Sequence, residues 1–279
     1  DGVGTKTKVA AVMGKWDSLG KDIVNHCAND ILAIGAEPFY FLDYVATEKL
    51  SPEVIEKIVG GMAEACSELG IPIVGGETAE MPGVYSKGEH DIVGCITGIV
   101  SKEKIVDGSR IEENDVLISL PSSGLHTNGF SLARKTLFPK YKVTDFIDEL
   151  GMSIGEALLV PHKAYVNEVK EVRKEFDIHG IAHITGGGLI ENIPRIIPKG
   201  LGVEINKAKI SVLPIFRLIE KEGNVPEDDM WRTFNMGVGM VLMVPEKHAD
   251  NIIVKMETFG IDASVIGKVV KGNGVKFDG

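Results

Sequence analysis

The stretch Gly75-Gly76-Glu77-Thr78-Ala79-Glu80-Met81-Pro82-Gly83 follows the apolar run 71–74 and places paired glycines beside carboxylates. Glycine lets the main chain approach a ligand closely, and such carboxylates usually need a cation such as Mg²⁺ before they tolerate phosphate. The residues therefore predict a loop that holds a metal-bound phosphate. An ordinary tight turn with solvated glutamates is the alternative, because Gly-Gly turns are common.

The segment Asp1-Gly2-Val3-Gly4-Thr5-Lys6 repeats this chemistry, with a carboxylate, two glycines, a hydroxyl and an ammonium within six residues. All of these groups bind phosphate or metal ions. The spacing matches neither the P-loop nor the dinucleotide fingerprint, so neither of these standard nucleotide folds is indicated.

Residues 21–35 are predicted to form a helix that ends at a glycine. A rotation of about 100° per residue puts Asp30 on the same stripe as Ile23 and Cys27, toward the core. A buried unpaired carboxylate is costly, so Asp30 should be neutral, hydrogen-bonded, ion-paired or bound to metal. A structural pair with Lys6 is the alternative to a functional carboxylate.

Two histidines each precede a glycine-containing turn at which a helix is predicted to begin, namely His126 and His183. Helix N-termini bind anions, so either ring could move a proton close to a bound phosphate. Local capping or packing is the alternative. The other histidines lack this context and are interpreted as surface or structural residues: His26, His90, His162, His179 and His248.

The composition is that of a globular protein, with 279 residues of which 44% are hydrophobic and 25% charged. A net charge of −10 would repel nucleic acid. The chain has no apolar run of membrane-spanning length, and its opening is not a signal peptide. The three cysteines lie in apolar segments, which predicts buried thiols in a reducing, cytoplasmic compartment.

Apolar periodicity divides the chain into two units. The first is predicted to contain strands at 6–13, 39–46 and 92–100 and helices at 21–35 and 52–69. The second is predicted to contain strands at 115–120 and 181–184 and helices ending near 138 and spanning 161–176 and 188–197. The polar stretch 101–114 is typical of a domain connection, so we place the boundary near residue 107.

The sequence resembles the AIR synthetase family, the phosphoribosylformylglycinamidine cyclo-ligases. Sister families, including selenophosphate synthetase and thiamine-monophosphate kinase, share the scattered acidic and glycine positions. The sequences of residues 77–83 and of the loop around His126 resemble the cyclo-ligase family specifically. The matching stretches run in order through nearly the whole chain: residues 1–6, 29–30, 35–38, 41–44, 75–83, 124–129 and 183–188.

The resemblance implies an α/β plus α+β architecture of two domains. Residues 1–107 would form an ATP- and metal-binding domain whose sheet pairs with that of a twin in a homodimer. Residues 108–279 would form a mixed C-terminal domain. Members of the family begin about 60 residues earlier, so we expect that this sequence is a fragment, a cleaved product or a sequence given without its upstream segment.

The resemblance also implies a reaction, the ATP-dependent closure of formylglycinamidine ribonucleotide to aminoimidazole ribonucleotide in purine biosynthesis, with release of ADP and phosphate. An amide oxygen is a poor leaving group, and phosphorylation converts it into an iminophosphate that an internal nitrogen can displace. Such chemistry depends on positioning and charge neutralisation rather than on a nucleophile of the protein. ATP and Mg²⁺ are the expected cofactors, and a requirement for K⁺ is left open.

The resemblance and the residue chemistry together assign four groups of site residues. The expected metal ligands are Asp1, Asp30 and Glu77. The expected catalytic residues are Asp30, His126 and His183. The expected ATP and phosphate ligands are Gly2, Gly4, Thr5, Lys6, Asn29, Gly75, Gly76 and Thr78. The expected ribonucleotide ligands are Asn128, Thr185, Gly187 and Gly188.

Two alternative functions stay open at this point. One is a sister-family kinase that phosphorylates another small molecule, such as thiamine monophosphate or selenide. A selenophosphate synthetase should carry a reactive cysteine near its start, whereas the first cysteine here is Cys27 on an apolar stripe, which argues against it. The other is a non-catalytic fragment that binds ATP without turnover.

Overall fold

The computed structural model describes residues 1–278. The helices are α1 (Lys6–Met13), α2 (Asp17–Ala33), α3 (Pro52–Leu69), α4 (Phe130–Leu137), α5 (Ile154–Leu159), α6 (Val166–Glu175), α7 (Gly188–Asn192), α8 (Pro214–Gly223), α9 (Glu227–Thr233) and α10 (Ala249–Glu257). The strands are β1 (Glu37–Thr47), β2 (Ile73–Glu80), β3 (His90–Ile99), β4 (Val116–Pro121), β5 (Phe146–Ile147), β6 (Met152–Ser153), β7 (Gly180–His183), β8 (Leu201–Asn206), β9 (Val238–Val244), β10 (Ser264–Lys271) and β11 (Gly274–Asp278).

The N-terminal sheet has the strand order β2-β1-β3, with β2 parallel and β3 antiparallel to the central strand. Helices α2 and α3 pack together, and α2 lies against the sheet. Phe41 of β1 and Ile23 of α2 meet over Gly94 of β3, where a Cβ atom would lie only 2.5 Å from the Phe41 ring. The absence of a side chain at Gly94 therefore lets the helix approach the sheet.

The C-terminal sheet has six strands in the order β11-β8-β10-β4-β9-β7. Every residue of β9 is buried. Val241 and Met243 pack in one apolar cluster, whereas the alternating Met240 and Leu242 pack in the other. Successive side chains of a strand point to opposite faces, so both faces of this sheet are covered, which explains the continuous apolar run.

Three predictions of local structure are wrong. Residues 6–13 form helix α1 rather than a strand, with Lys6, Val9 and Ala10 buried at helical spacing before Gly14 adopts a left-handed conformation (φ 62°). The predicted loop at residues 75–80 belongs to edge strand β2. The predicted helix over 161–176 begins at Val166, because residues 161–165 form a loop bound to the N-terminal half.

The other elements confirm the mixed architecture that was predicted for both units. Helix α3 begins at Pro52 and ends before Gly70, whose φ of 69° is left-handed, as the sequence signals indicate. The boundary near residue 107 stays a prediction. None of the helices in residues 1–278 is long and apolar enough to span a membrane.

The cysteines only partly match the prediction of buried thiols. Cys27 and Cys66 are buried, whereas Cys95 is exposed on β3, and all are free. Burial raises the pKa of the Cys27 and Cys66 thiols to about 11, so both stay protonated and inert at neutral pH.

Adjacent glycines of α3 give a test of the packing between α2 and α3. A Cβ atom at Gly61 would lie 2.1 Å from the Asp17 carbonyl oxygen, whereas one at Gly60 would meet nothing within 4 Å. Gly61→Ala should lower the free energy of unfolding by about 1–3 kcal/mol because the helices must separate. Gly60→Ala should raise it by about 0.5–1 kcal/mol through helix propensity. Urea unfolding of both variants measures the difference, and equal effects would contradict the described packing.

Candidate functional site

A fully buried ion pair joins the two halves of the chain. Lys6 Nζ lies 2.9 Å from Asp22 Oδ1 and donates to the carbonyl oxygens of His126 (3.1 Å) and Val160 (2.7 Å). Asp22 Oδ1 also accepts the N–H of His162 at 2.7 Å. Helices α1 and α2 therefore hold two loops of the C-terminal half in place.

Burial acts against both charges of this pair, lowering the pKa of Lys6 and raising that of Asp22, while their mutual attraction opposes each shift. The Lys6 side chain is 0% exposed. A nucleotide could reach its ammonium only after the pair had opened. The assignment of Lys6 to the phosphate site thus stays a prediction, and in this structure Lys6 has partners within the protein.

Four buried histidine rings form a cluster between the halves: His26, His126, His162 and His183. The His126 and His162 rings stack with centroids 3.9 Å apart, and the centroids of His26 and His183 each lie 5.2 Å from that of His162. His26 comes from α2 and His183 ends β7, while the other two lie in the loops that Lys6 and Asp22 hold. His26 and His162 are therefore not surface residues, whereas the alternative interpretation of both as structural residues agrees with their burial.

Burial lowers the pKa of three of these histidines. The shift is large for His126 and His162, and it persists for His183, although Asp30 partly offsets it. Neutral imidazoles can accept protons, so these three rings are buried proton acceptors.

Asp30 lies at the open side of the cluster. Its Oδ1 is 2.7 Å from His183 Nδ1, and its Oδ2 is 3.4 Å from His26 Nε2, which also lies 3.0 Å from Asp1 Oδ2. Desolvation disfavours the Asp30 carboxylate, but the contacts with His183 and His26 outweigh it and lower the pKa of the carboxyl. Asp30 is thus ionised beside two imidazoles.

The predicted burial of Asp30 is wrong, because its side chain is 45% exposed. The stripe that is buried at Ile23 and Cys27 reaches the solvent-filled cleft between the halves near the end of α2. The alternative of a pair with Lys6 also fails, since Lys6 binds Asp22. The prediction that Asp30 is hydrogen-bonded or ion-paired agrees with the structure.

The predicted ribonucleotide ligands lie in two loops that meet. A Cβ atom at Gly186 would lie 3.1 Å from Asn128 Oδ1, and the Thr185 hydroxyl bonds to Asn192 Oδ1 at 3.2 Å. Gly187 (φ 96°) and Gly188 (φ 57°) adopt left-handed conformations, which explains the need for glycine there.

The predicted metal ligands do not converge within one chain. Gly2 pairs with Val93 beside β3, whereas Glu77 lies on β2 at the opposite edge of the sheet, next to Tyr44. Three strand spacings of about 4.8 Å put Asp1 roughly 14 Å from Glu77, too far for a shared ion. Asp1 and Asp30 do come together, while Glu77 lies on β2 with Gly75, Gly76 and Thr78.

Two other predicted phosphate ligands have protein partners. Asn29 is fully buried, and its amide bonds to the backbone of Lys163 (2.8 Å) and Tyr165 (3.0 Å). Thr5 Oγ1 lies 3.2 Å from Ser131 Oγ, with Gly4 exposed before it. Asn29 therefore supports the histidine cluster, whereas Asp1, Gly4 and Thr5 are exposed.

A cavity of about 340 Å³ opens beside Asp30 and His183. Arg195 supplies a cationic side chain and Thr185 a hydroxyl, and the rest of the wall is largely apolar. Its volume lies in the range of small-molecule sites. The sequence reasoning missed Arg195, although it follows the glycine loop closely along the chain.

A larger groove of about 830 Å³ lies between the start of β1 and α6. Several of its charged groups have partners within the protein: Lys170 pairs with Glu37 at 2.6 Å, Arg110 pairs with Asp177, and Arg173 donates to the Gly35 carbonyl at 2.7 Å. Its lining contains no histidine, whereas the smaller cavity is lined by His183.

The residues that could hold a metal ion are His26, Asp30 and His183, whose ligand atoms lie within 4.8 Å of one another. Asp1 is adjacent to His26. The two carboxylates suit Mg²⁺, while the imidazole nitrogens suit transition metals.

Comparison with protein families matches both halves of the chain. Residues 1–100 match the N-terminal domain of AIR synthase related proteins, and residues 112–279 match the C-terminal domain. The phosphoribosylformylglycinamidine cyclo-ligase of Thermoanaerobacter pseudethanolicus is 49% identical over 276 residues, 98% of this chain and 82% of that protein. The cyclo-ligase of Pseudothermotoga lettingae is 50% identical over 272 residues, 98% of this chain and 80% of that protein.

Solved structures of lower identity share the fold. The hydrogenase maturation protein HypE of Escherichia coli superposes with a TM-score of 0.71 at 21–22% identity, covering 94% of this chain and 76% of that one. Thiamine-monophosphate kinase from Stenotrophomonas maltophilia gives 0.70 at 18% identity, covering 93% and 79%. A HypE structure in complex with ATP gives 0.71 at 20% identity, covering 91% and 71%.

Removal of the buried cation tests the link between the halves. Lys6→Met should lower the free energy of unfolding by about 3–5 kcal/mol, because it leaves the Asp22 carboxylate buried without its partner. The double variant Lys6→Met/Asp22→Leu should recover much of this loss. Urea unfolding measures both effects.

Lys8→Met is the matched control, since Lys8 lies on the same helix as Lys6 and forms a partly exposed pair with Glu89. Its loss should stay below about 1 kcal/mol. Equal losses for Lys6→Met and Lys8→Met would contradict a structural role for the Lys6–Asp22 pair.

Proposed function

The chain belongs to the AIR synthase related family, and from this premise we propose that it catalyses the ATP-dependent cyclisation of formylglycinamidine ribonucleotide to aminoimidazole ribonucleotide. The observation that carries the proposal is 48–50% identity over nearly the whole chain to proteins named phosphoribosylformylglycinamidine cyclo-ligase. ADP and phosphate are the other products, and the reaction belongs to purine biosynthesis.

The reaction proceeds in two steps. Transfer of the γ-phosphoryl group to the amide oxygen forms an O–P bond and breaks the bond to ADP. The internal nitrogen then attacks the activated carbon, so that a C–N bond forms, the C–O bond breaks and phosphate leaves. The attacking nitrogen must lose a proton, and holding both ends in one cavity supplies the proximity that ring closure needs.

The Asp30–His183 pair is the proposed acceptor of this proton. His183 Nδ1 and Asp30 Oδ1 lie 2.7 Å apart on the wall of the cavity. A neutral imidazole accepts a proton, and an adjacent carboxylate stabilises the imidazolium that results. His126, stacked on His162, is the proposed second proton carrier, and its Nδ1 has no hydrogen-bond partner among residues 1–278.

The ribonucleotide phosphate is proposed to bind Arg195, because a guanidinium can make paired charge-assisted hydrogen bonds to phosphate. Thr185 lies in the same wall, and Asn128, Gly187 and Gly188 border it through the two adjoining loops. This orientation leaves the reacting end of the substrate beside Asp30 and His183.

ATP and Mg²⁺ are proposed to bind at the cleft beside residues 1–5. The HypE structure with ATP, which shares the fold, supports nucleotide binding. Asp1 and Asp30 fit a hard cation, and Mg²⁺ bound there would neutralise phosphate charge. Gly2, Gly4 and Thr5, which follow Asp1 along the chain, are the proposed phosphate contacts.

A homodimer across the N-terminal sheet is part of the proposal. Each strand of this sheet carries an exposed apolar side chain: Phe39, Val74 and Ile99 are 55–58% exposed. Within one chain, β2 lies at the sheet edge opposite Asp1. The metal and phosphate roles assigned to Gly75, Gly76, Glu77 and Thr78 therefore require that β2 of a second copy lies beside Asp1. Free cysteines agree with a reducing, cytoplasmic compartment.

The proposed reaction is tested by measuring ADP release in the presence of Mg²⁺. We expect release with formylglycinamidine ribonucleotide, together with the aminoimidazole product, and none without substrate or with thiamine monophosphate. Turnover of thiamine monophosphate alone would contradict the proposal and favour a sister-family kinase. Tight ATP binding without any ADP release would favour a non-catalytic protein.

Asp30→Asn should lower kcat by about 10²-fold or more, because the amide cannot stabilise a cationic partner. Asp262→Asn is the control, since Asp262 is exposed and does not line this cavity. It should leave kcat within about twofold, as surface changes usually do. A kcat of Asp30→Asn close to that of the unmodified chain would exclude Asp30 from the chemistry.

A further inference from the structure

One buried side chain, that of Asn192 in α7, holds the glycine loop 185–188. Asn192 Nδ2 donates to the Gly188 carbonyl oxygen at 2.8 Å. Its second hydrogen is shared at longer range by the carbonyl oxygens of Gly186 (3.2 Å) and Thr185 (3.4 Å). Carbonyl oxygens only accept hydrogen bonds, so the amino end of the amide must face them. The loop therefore determines the orientation of the Asn192 amide.

This orientation fixes the direction of the Thr185 hydroxyl. The other end of the amide, Asn192 Oδ1, can only accept a hydrogen bond, and Thr185 Oγ1 donates to it at 3.2 Å. A hydroxyl has one hydrogen, so only the lone pairs of Thr185 Oγ1 remain for a ligand. Thr185 is partly buried in the wall of the cavity beside Asp30. It thus offers a hydrogen-bond acceptor to a molecule bound there.

The loop is also held from its outer side, which keeps this polarity in place. Gly188 lies against the end of α9, where a Cβ atom would be 2.2 Å from the Trp231 carbonyl oxygen and 2.7 Å from that of Phe234. Asn192 is 4% exposed, so water has little access to the carbonyl oxygens that converge on its amide. Without the amide these oxygens would lose their donor, which makes Asn192 the group that directs Thr185.

An acceptor at this position distinguishes between the parts of a nucleotide. Phosphate oxygens are acceptors and repel it, whereas a ribose hydroxyl can donate to it. Thr185 follows His183 by two residues and bonds to Asn192, which precedes Arg195 by three. In the proposed orientation the phosphate binds Arg195 and the reacting end lies at His183. The ribose then lies between them, beside Thr185.

We propose that Asn192 is a positioning residue that makes the Thr185 hydroxyl an acceptor for a hydroxyl of the substrate ribose. The inference rests on the proposed function and deepens it, because it explains how the cavity selects a ribonucleotide over a deoxyribonucleotide. A site built to bond a substrate hydroxyl rejects an analogue that lacks it, since the polar group of the site then stays unpaired.

The test compares the binding of formylglycinamidine ribonucleotide with that of its 2′-deoxy and 3′-deoxy analogues. Calorimetry on the full chain with Mg²⁺ and a non-hydrolysable ATP analogue measures affinity without turnover. We expect the unmodified chain to bind at least one deoxy analogue about tenfold or more weakly than the ribonucleotide. Thr185→Val, which removes the hydroxyl at nearly constant shape, should reduce this ratio to within about twofold. Thr185→Ser keeps the hydroxyl and should retain the ratio.

Asn192→Leu should cause the same loss of discrimination, because the Thr185 hydrogen is then free to turn toward the ligand. The KM for the ribonucleotide should rise about tenfold or more while the KM for ATP stays within about twofold, a split that general misfolding would not produce. Thr258→Val is the control and should keep the ratio of the unmodified chain. The exposed Thr258 hydroxyl bonds to the Lys255 carbonyl oxygen at 2.7 Å, and Thr258 does not line the cavity.

Equal binding of the ribonucleotide and both deoxy analogues by the unmodified chain would overturn the inference. Discrimination that Thr185→Val leaves unchanged would do the same. If Thr185→Val bound all three compounds more weakly by the same factor, an N–H of the substrate would be the partner of Thr185, which also contradicts the inference. A chain that forms the aminoimidazole product but gives one of these results keeps the proposed function and loses only the assigned role of Asn192 and Thr185.

Discussion

The buried pair of Lys6 and Asp22 is the interaction on which the candidate site depends. Two opposite charges in a dry interior rarely add net stability over apolar packing. The contribution of this pair is therefore structural specificity, because its hydrogen bonds are directional. The Lys6 ammonium has three hydrogens, and it uses them on Asp22 and on carbonyl oxygens of two separate loops. The pair thereby fixes both loops of the C-terminal half against α1 and α2.

The fixed position of α2 against these loops places one face of the helix at the candidate site. Asp22, His26, Asn29 and Asp30 recur at helical spacing and line the boundary between the halves. Asp22 orders the loop of His162, Asn29 sets the hydrogen bonding of its ring, and His162 in turn contacts His183. Burial keeps the rings of His126, His162 and His183 neutral, while the half-exposed Asp30 and Asp1 face solvent.

Much of this arrangement was predictable from sequence, and the limits have physical causes. Glycine and proline signals located α3, and the residue types identified Asp30, His183 and the loop around His126. His26 lies four residues before Asp30 on a helix, a spacing that could have revealed it. His162 had no local signal, because every contact that matters reaches it from Asp22, Asn29 or His183 across the fold.

The errors at residues 6–13 and 75–80 have a similar origin. The sequence around Lys6 predicts a solvent-exposed phosphate ligand. Only the tertiary structure shows that the Lys6 ammonium is buried and paired with the Asp22 carboxylate. The paired glycines favour a loop, yet Gly76 lies in strand β2 opposite Asp43. A Cβ atom at Gly76 would lie 2.2 Å from Asp43 Oδ1, so glycine is needed there because of this neighbour. Glycine signals a close approach, but sequence alone does not identify the approaching group.

The central claim is that the substrate binds where the histidine cluster opens beside Asp30. A crystal structure with formylglycinamidine ribonucleotide and a non-hydrolysable ATP analogue tests it most directly. The account predicts that the ribonucleotide occupies the cavity lined by His183, Thr185 and Arg195, with its reacting amide facing Asp30. Density for the ribonucleotide in the larger groove between β1 and α6, with that cavity unchanged, would contradict it.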